Sequence, residues 1–306
     1  MVNPANNERK GELAMKKKSN ALILGVTGTI GSALALSLLE DGWTVYGASR
    51  LTDKKTAGKL KKAGATLIRF DVLQDDPKTL PDVNTLFLEI WDPSHPSLIW
   101  PVNFYGVGRV VERYAGIADV VNGSTINVYG DSPEAASEKT LCRPTSYYGH
   151  TRMAQERLID YFCSSSGKNC INLRYAHVNS ATRGVIRRFA EHILTGHKIS
   201  EYPDTKIQVI ALEDIVRMTG EAVKHAAKPP IEVNCCHPRV LTQRDLAEAI
   251  RKQLGEGKVL FDHKKGGEEK SAYADVSLML KLFGEPQIPV ETLIDRVVKN
   301  LKKKKS

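Results

Sequence analysis

The chain has 306 residues, 42% hydrophobic and 26% charged, an ordinary balance for a globular protein with one large α/β domain or a core plus a small lobe. No apolar run is long enough to span a bilayer, and the polar opening MVNPANNERKGELAMKKKSN lacks the apolar segment of a secretory signal, so no membrane partner is expected. The net charge of +9 sits at the ends, +3 on residues 1–18 and +5 on residues 295–306; the body is close to neutral, which argues against nucleic acid as a partner.

From residue 20 onward the pattern alternates. Ala21 to Leu24 reads as a short apolar strand, and Thr29 to Leu39 as a helix that Gly42 stops. Trp43 to Ala48 is a second strand, Asp53 to Lys62 a polar helix, Thr66 to Phe70 a third strand and Thr85 to Ile90 a fourth. Val102 to Tyr114 is helical, Val120 to Val128 holds a fifth strand, Ser146 to Phe162 is a long helix and Cys170 to Tyr175 a sixth strand. Strands separated by helices of this length imply right-handed crossovers and a parallel sheet. Past residue 180 the pattern turns irregular, which suggests a small lobe over the carboxyl ends of the strands. The expected division is a leader over 1–19, a core over 20–180, a substrate lobe over 181–301 with parts returning to the core, and a basic tail over 302–306.

Five cysteines (Cys142, Cys163, Cys170, Cys235 and Cys236) form no C-x-x-C pair, which favours a reducing, cytoplasmic setting. Cys235-Cys236-His237 reads as structural, because neighbouring side chains on a strand face opposite ways. No metal site is expected.

The strongest local signal is Gly25-Val26-Thr27-Gly28-Thr29-Ile30-Gly31, between the first strand and the first helix. In that context the glycines permit a tight turn, close approach of backbone to a pyrophosphate, and close helix–sheet packing. The helix N-terminus then offers unpaired N–H groups to the anion. The fold class that follows is a Rossmann doubly wound parallel sheet with a smaller mixed α/β C-terminal lobe. The second strand ends Gly47-Ala48-Ser49-Arg50, without the carboxylate that usually holds a ribose 2′-hydroxyl. Ser49 and Arg50 suit a 2′-phosphate, so NADP is the expected cofactor, with NAD the second choice. Asp71 and Val72, after the third strand, are expected at the adenine end.

Further motifs fall in order along the chain. They are Val102-Asn103, Ser124-Thr125-Ile126-Asn127-Val128-Tyr129-Gly130, Tyr148-Gly149-His150-Thr151-Arg152-Met153-Ala154-Gln155-Glu156, Leu173-Arg174, and Ile210-Ala211-Leu212-Glu213-Asp214-Ile215. With the glycine loop, they resemble the extended short-chain dehydrogenase/reductase family of the NAD(P)-dependent epimerase/dehydratase type, over about Asn20 to Leu301. The resemblance implies that Tyr148 is the acid/base and Thr125 the active-site hydroxyl, with Ser124 taking that place if the strand register shifts by one. It also implies a homodimer through residues 101–115 and 146–163. The family's lysine, four residues past the tyrosine, is Arg152 here. Arg152 shares a helical face with Tyr148 and keeps the positive charge, but it cannot readily shed a proton. Tyr147 and His150 are weaker candidates. Glu89, Trp91 and Asp92 end the fourth strand, where the resemblance places the nicotinamide. The start of the chain also resembles the plant progesterone 5β-reductase and iridoid synthase group, whose alternative lysine has no match around Ile126 and Asn127.

These readings lead to an NADP(H)-dependent reductase of a carbonyl on a small molecule such as a sugar or nucleotide-sugar. One alternative is an NAD-dependent nucleotide-sugar epimerase or dehydratase; another, of a different class, is a non-catalytic NADP-binding regulator. Arg183, Arg187, Arg188 and Lys198 are candidates for an anion site in the lobe.

Overall fold

The computed structural model describes residues 19–91, 96–132, 134–262 and 273–305. All of the expected leader but Ser19, together with Asp92 and Ser306, lies outside the described residues. Seven parallel strands form one sheet: β1 (Asn20–Leu24), β2 (Thr44–Ser49), β3 (Thr66–Arg69), β4 (Thr85–Leu88), β5 (Asp119–Thr125), β6 (Cys170–Tyr175) and, after β7 (His177–Asn179), β8 (Lys206–Ile207) and β9 (Val209–Ala211), the edge strand β10 (Ile231–Cys235). Their order is β10-β6-β5-β4-β1-β2-β3. The order reverses between β1 and β4, and a crevice opens outside the carboxyl ends of the strands at such a point.

Alternation along the strands sends side chains to two cores. On one face Ile23, Phe87, Val121 and Leu173 pack with Leu34 and Leu38 of α1 (Thr29–Glu40) and, further along, with Ile215 and Met218 of α7 (Leu212–Glu221). Between these come α2 (Lys54–Lys62), α3 (Pro96–Trp100), α4 (Val107–Tyr114), α5 (Tyr147–Ser166) and α6 (Val185–Thr195). On the other face Leu22, Leu24, Leu86 and Leu88 meet Val107, Val110 and Val111 of α4 and Ile159 of α5. A third core joins Phe189 and Ile193 of α6 to β11 (Leu241–Thr242), α8 (Gln243–Leu254) and α10 (Val290–Lys305) through Leu246, Ile250 and Val297, while α9 (Ser277–Phe283) packs on the first core through Met279 and Phe283.

Several sequence expectations are corrected. The fifth strand stops at Thr125, whose Oγ1 accepts from the Asn127 N–H and caps a 3₁₀ turn over Ile126–Val128. The helix expected over Val102 to Tyr114 begins as a π-helical turn, Pro101–Gly106, where Gly106 lies tight against Val72. The edge strand β10 comes from beyond residue 180 and completes the sheet beside β6. The basic run Lys302 to Lys305 continues α10 instead of leaving it as a tail. Cys163 of α5 and Cys170 of β6 form a disulfide, Cα atoms 6.3 Å apart, a pairing that the expected reducing setting did not suggest. Cys235 and Cys236 are both buried, and burial pushes both thiols up. Among the described residues no cluster of side chains could hold a metal ion, and no helix is long and apolar enough to cross a membrane.

Candidate active site

The glycine loop is shaped by backbone contact. Gly25 has φ of 88°, and a Cβ there would lie 2.5 Å from the Glu89 carbonyl oxygen; one at Gly31 would lie 2.5 Å from the Gly25 carbonyl oxygen. Only glycine permits this close crossing of β1, β4 and α1. The cradle faces a cleft of about 470 Å³ that also takes in Thr27, Gly28, Ser49, Arg50, Asp71 and Val72. A second cavity of about 350 Å³ takes in Thr29, Ile30, Ser124, Tyr148, Arg152 and Tyr175. Gly28, Glu89, Trp91 and Arg183 line both, so the two are halves of one trough along the strand ends.

At the first half, the Thr27 hydroxyl donates to Ser49 Oγ at 3.1 Å, and Ser49 Oγ also accepts from the Leu51 N–H. Two carboxylates share this half with Arg50. Asp53 caps α2, and bonds from the Thr56 N–H and hydroxyl hold its carboxyl below the usual range. Asp71 Oδ1 accepts from the Leu73 N–H at 2.9 Å. The end of the cleft read from Ser49 and Arg50 as suited to a 2′-phosphate is therefore lined by both signs of charge.

At the second half, Arg152 is buried. It donates to the Ile90 carbonyl at 2.9 Å and to Gln155 Oε1 at 2.8 Å, and its Cζ lies 5.5 Å from the centre of the Tyr148 ring. Its Nε is buried without a protein partner. Trp91 packs against the same tyrosine, ring centres 5.2 Å apart. Ser124 donates to Glu156 Oε1 at 2.5 Å, so its proton is committed inward and its lone pairs remain for a donor. Glu156 is gripped by Arg174 through Nε at 3.0 Å and Nη2 at 2.7 Å, and Arg174 Nη1 bonds the Tyr129 hydroxyl at 2.8 Å. The motif residues Ser124, Tyr129, Glu156 and Arg174 thus form one buried network behind the cavity. Thr125 is turned to its cap and does not line this cavity. Tyr147 packs on Trp100 instead of lining it, and His150 is exposed.

The four basic residues read as an anion site do not converge. Arg187 pairs with Glu191, Arg188 with Glu201 and Lys198 with Asp262. Arg183 alone reaches the trough, with Nη1 3.4 Å from Thr29 Oγ1 at the head of α1. Glu89, expected at the nicotinamide end, pairs with Tyr175, to which the sequence gave no role. The Tyr175 hydroxyl donates to Glu89 Oε1 at 2.9 Å, and desolvation pushes the Glu89 carboxyl up to about 7. A signal for this pair exists in Gly123, a glycine inside a buried strand, where a Cβ would lie 2.7 Å from Glu89 Oε2.

The NAD dependent epimerase/dehydratase family model matches residues 21–236. The chain belongs to that family. A curated relative, UDP-glucose 4-epimerase of Streptomyces lividans, is 28% identical over 178 residues, 54% of this chain; the match spans about half of the relative's length, also 54%. The family fold also agrees with solved structures. UDP-glucuronic acid 4-epimerase of Bacillus cereus, in a mutant form with a fluorinated UDP-glucuronic acid and NAD, has a TM-score of 0.83 at 21% identity, covering 93% of this chain and 99% of that one. UDP-glucose 4-epimerase of Thermotoga maritima, solved with UDP-glucose, has a TM-score of 0.81 at 20% identity, covering 94% of this chain and all of that one, 100%.

Proposed function

We propose that this enzyme is an NAD-dependent epimerase or dehydratase acting on a nucleotide sugar. The observation that carries the reading is the family match across residues 21–236, which spans both halves of the trough. The expectation of an NADP-dependent carbonyl reductase gives way to its alternative, because UDP-sugar epimerases recur among the similar proteins and NAD is bound in solved relatives. Asp53 and Asp71 beside Arg50 add a local reason, since carboxylates repel a 2′-phosphate and accept from a ribose hydroxyl.

The residues fit a dinucleotide. The Gly25 and Gly31 cradle would be filled by any Cβ, and the buried Arg152 Nε supplies an unmet donor at the far half. Bound NAD supplies the hydride acceptor and donor. The N–H groups at the head of α1, with Arg183 beside them, would hold its pyrophosphate. Arg152 would hold the nicotinamide ribose, and its fixed charge beside the Tyr148 ring would stabilise a phenolate. Tyr148 takes the proton from the sugar hydroxyl that becomes a carbonyl, and returns it on reduction. Ser124, whose hydroxyl donates to Glu156 in this structure, would hold the same oxygen in line by turning to donate to it. Because Arg152 is tied to Ile90 and Gln155, protons reach Tyr148 through water or substrate hydroxyls. A homodimer is part of the same reading, supported by the exposed Tyr105, Tyr147 and Tyr161 on the two helical segments expected to pair.

UDP-glucose and UDP-glucuronic acid, incubated with the protein and resolved by chromatography, test the reaction. Conversion to an epimer or a dehydrated product is expected, and Tyr148→Phe should lower it by about 10²–10⁴-fold. Conversion unaltered in Tyr148→Phe contradicts the assignment. NAD binding without any turnover would favour the regulator.

A further inference from the structure

Glu89 stands where the two halves of the trough meet. A dinucleotide with its pyrophosphate at Gly28 and its reactive ring near Tyr148 has to cross this shared wall. The groups facing the Glu89 side of the trough are Arg152 and Tyr148 on α5, Ser124 on β5, Tyr175 on β6, Arg183 before α6 and, behind Tyr175, Thr219 on α7 and Cys235 on β10. Three contacts run in series away from the carboxyl. Glu89 meets the Tyr175 hydroxyl at 2.9 Å, Tyr175 meets Thr219 Oγ1 at 2.8 Å, and Thr219 donates to the Ile215 carbonyl at 2.7 Å. Two hydroxyls bring two protons to three contacts. With Glu89 ionised, one contact lacks a hydrogen; with Glu89 protonated, all three are filled. The pair stays bonded in either state: the charge-assisted bond from Tyr175 favours the carboxylate, and the filled chain favours the acid.

We propose that Glu89 is a redox-linked proton site that ionises beside the oxidised, cationic nicotinamide and takes up a proton from solvent beside the neutral, reduced one. The proposal rests on the dinucleotide reading above. It biases the resting enzyme toward NAD⁺, the form from which an epimerase or dehydratase starts. Linkage fixes the sign: ionisation of Glu89 as pH rises must strengthen NAD⁺ relative to NADH, and protonation must remove that preference.

Dissociation constants for NAD⁺ and NADH, measured by calorimetry on the nucleotide-free full-length chain between pH 6 and 8.5, test this. The ratio Kd(NADH)/Kd(NAD⁺) should rise about tenfold over that range, the size of a moderate charge–charge interaction. In Glu89→Gln it should stay flat. Tyr175→Phe, which removes the donor that favours the carboxylate, should keep the rise and move its midpoint to higher pH; this variant serves if the glutamine one fails to fold. A flat ratio in the unaltered protein, or an equal rise in Glu89→Gln, overturns the proposal while leaving dinucleotide binding in place. Binding of neither nucleotide overturns both.

Discussion

The two halves of the trough are built by different means. The Gly28 half is made of backbone: a positive-φ glycine, two crossings too close for a side chain, and the open head of a helix. The Tyr148 half is made of buried charge: Arg152 under a phenol, Glu156 locked to Arg174, and Glu89 facing Tyr175. A backbone cradle is specified by a few adjacent residues. A charged pocket depends on several strands arriving in register, because each buried ion is tolerable only with its partner in place.

That contrast predicts unequal fragility. Glu156→Gln should have the largest effect on stability: Arg174, only 1% exposed, would lose its main counter-charge, at a cost of about 3–5 kcal/mol. Denaturant unfolding checks this, and a loss below about 1 kcal/mol, the scale of an exposed pair, would erase the distinction between the halves. Gly25→Ala should cost less stability, about 1–3 kcal/mol of backbone strain and displacement, yet weaken dinucleotide binding by tenfold or more. Fluorescence titration with NADH reads the second effect. Unchanged binding would mean that the cradle does not hold the pyrophosphate.

The same contrast explains what could be read from sequence. The glycine loop was legible because its spacing, strand and helix are contiguous from Ala21 to Leu39. Tyr148 and Arg152 were legible as a pair because helical spacing places them on one face. The edge strand Ile231–Cys235 was not, since its partner β6 lies about sixty residues back and five residues carry little periodic signal. The hydroxyl register was open for a related reason. Thr125 has a local partner in the Asn127 N–H, a short-range competition that strand alternation does not reveal. Arg183 was assigned to the lobe because it follows the core in sequence, whereas the fold returns it to Thr29. The Glu89–Tyr175 pair joins the ends of strands on either side of β5, and only Gly123 between them hints at it.

The central claim is a tightly held NAD that receives a hydride and gives it back to the same sugar. The direct measurement is to denature the purified protein and identify the nucleotide released, then titrate NADH and NADPH against the emptied form. The account predicts NAD in the released fraction and a preference for NADH over NADPH. A protein purified empty that prefers NADPH would contradict it and return Arg50 to the centre of the site.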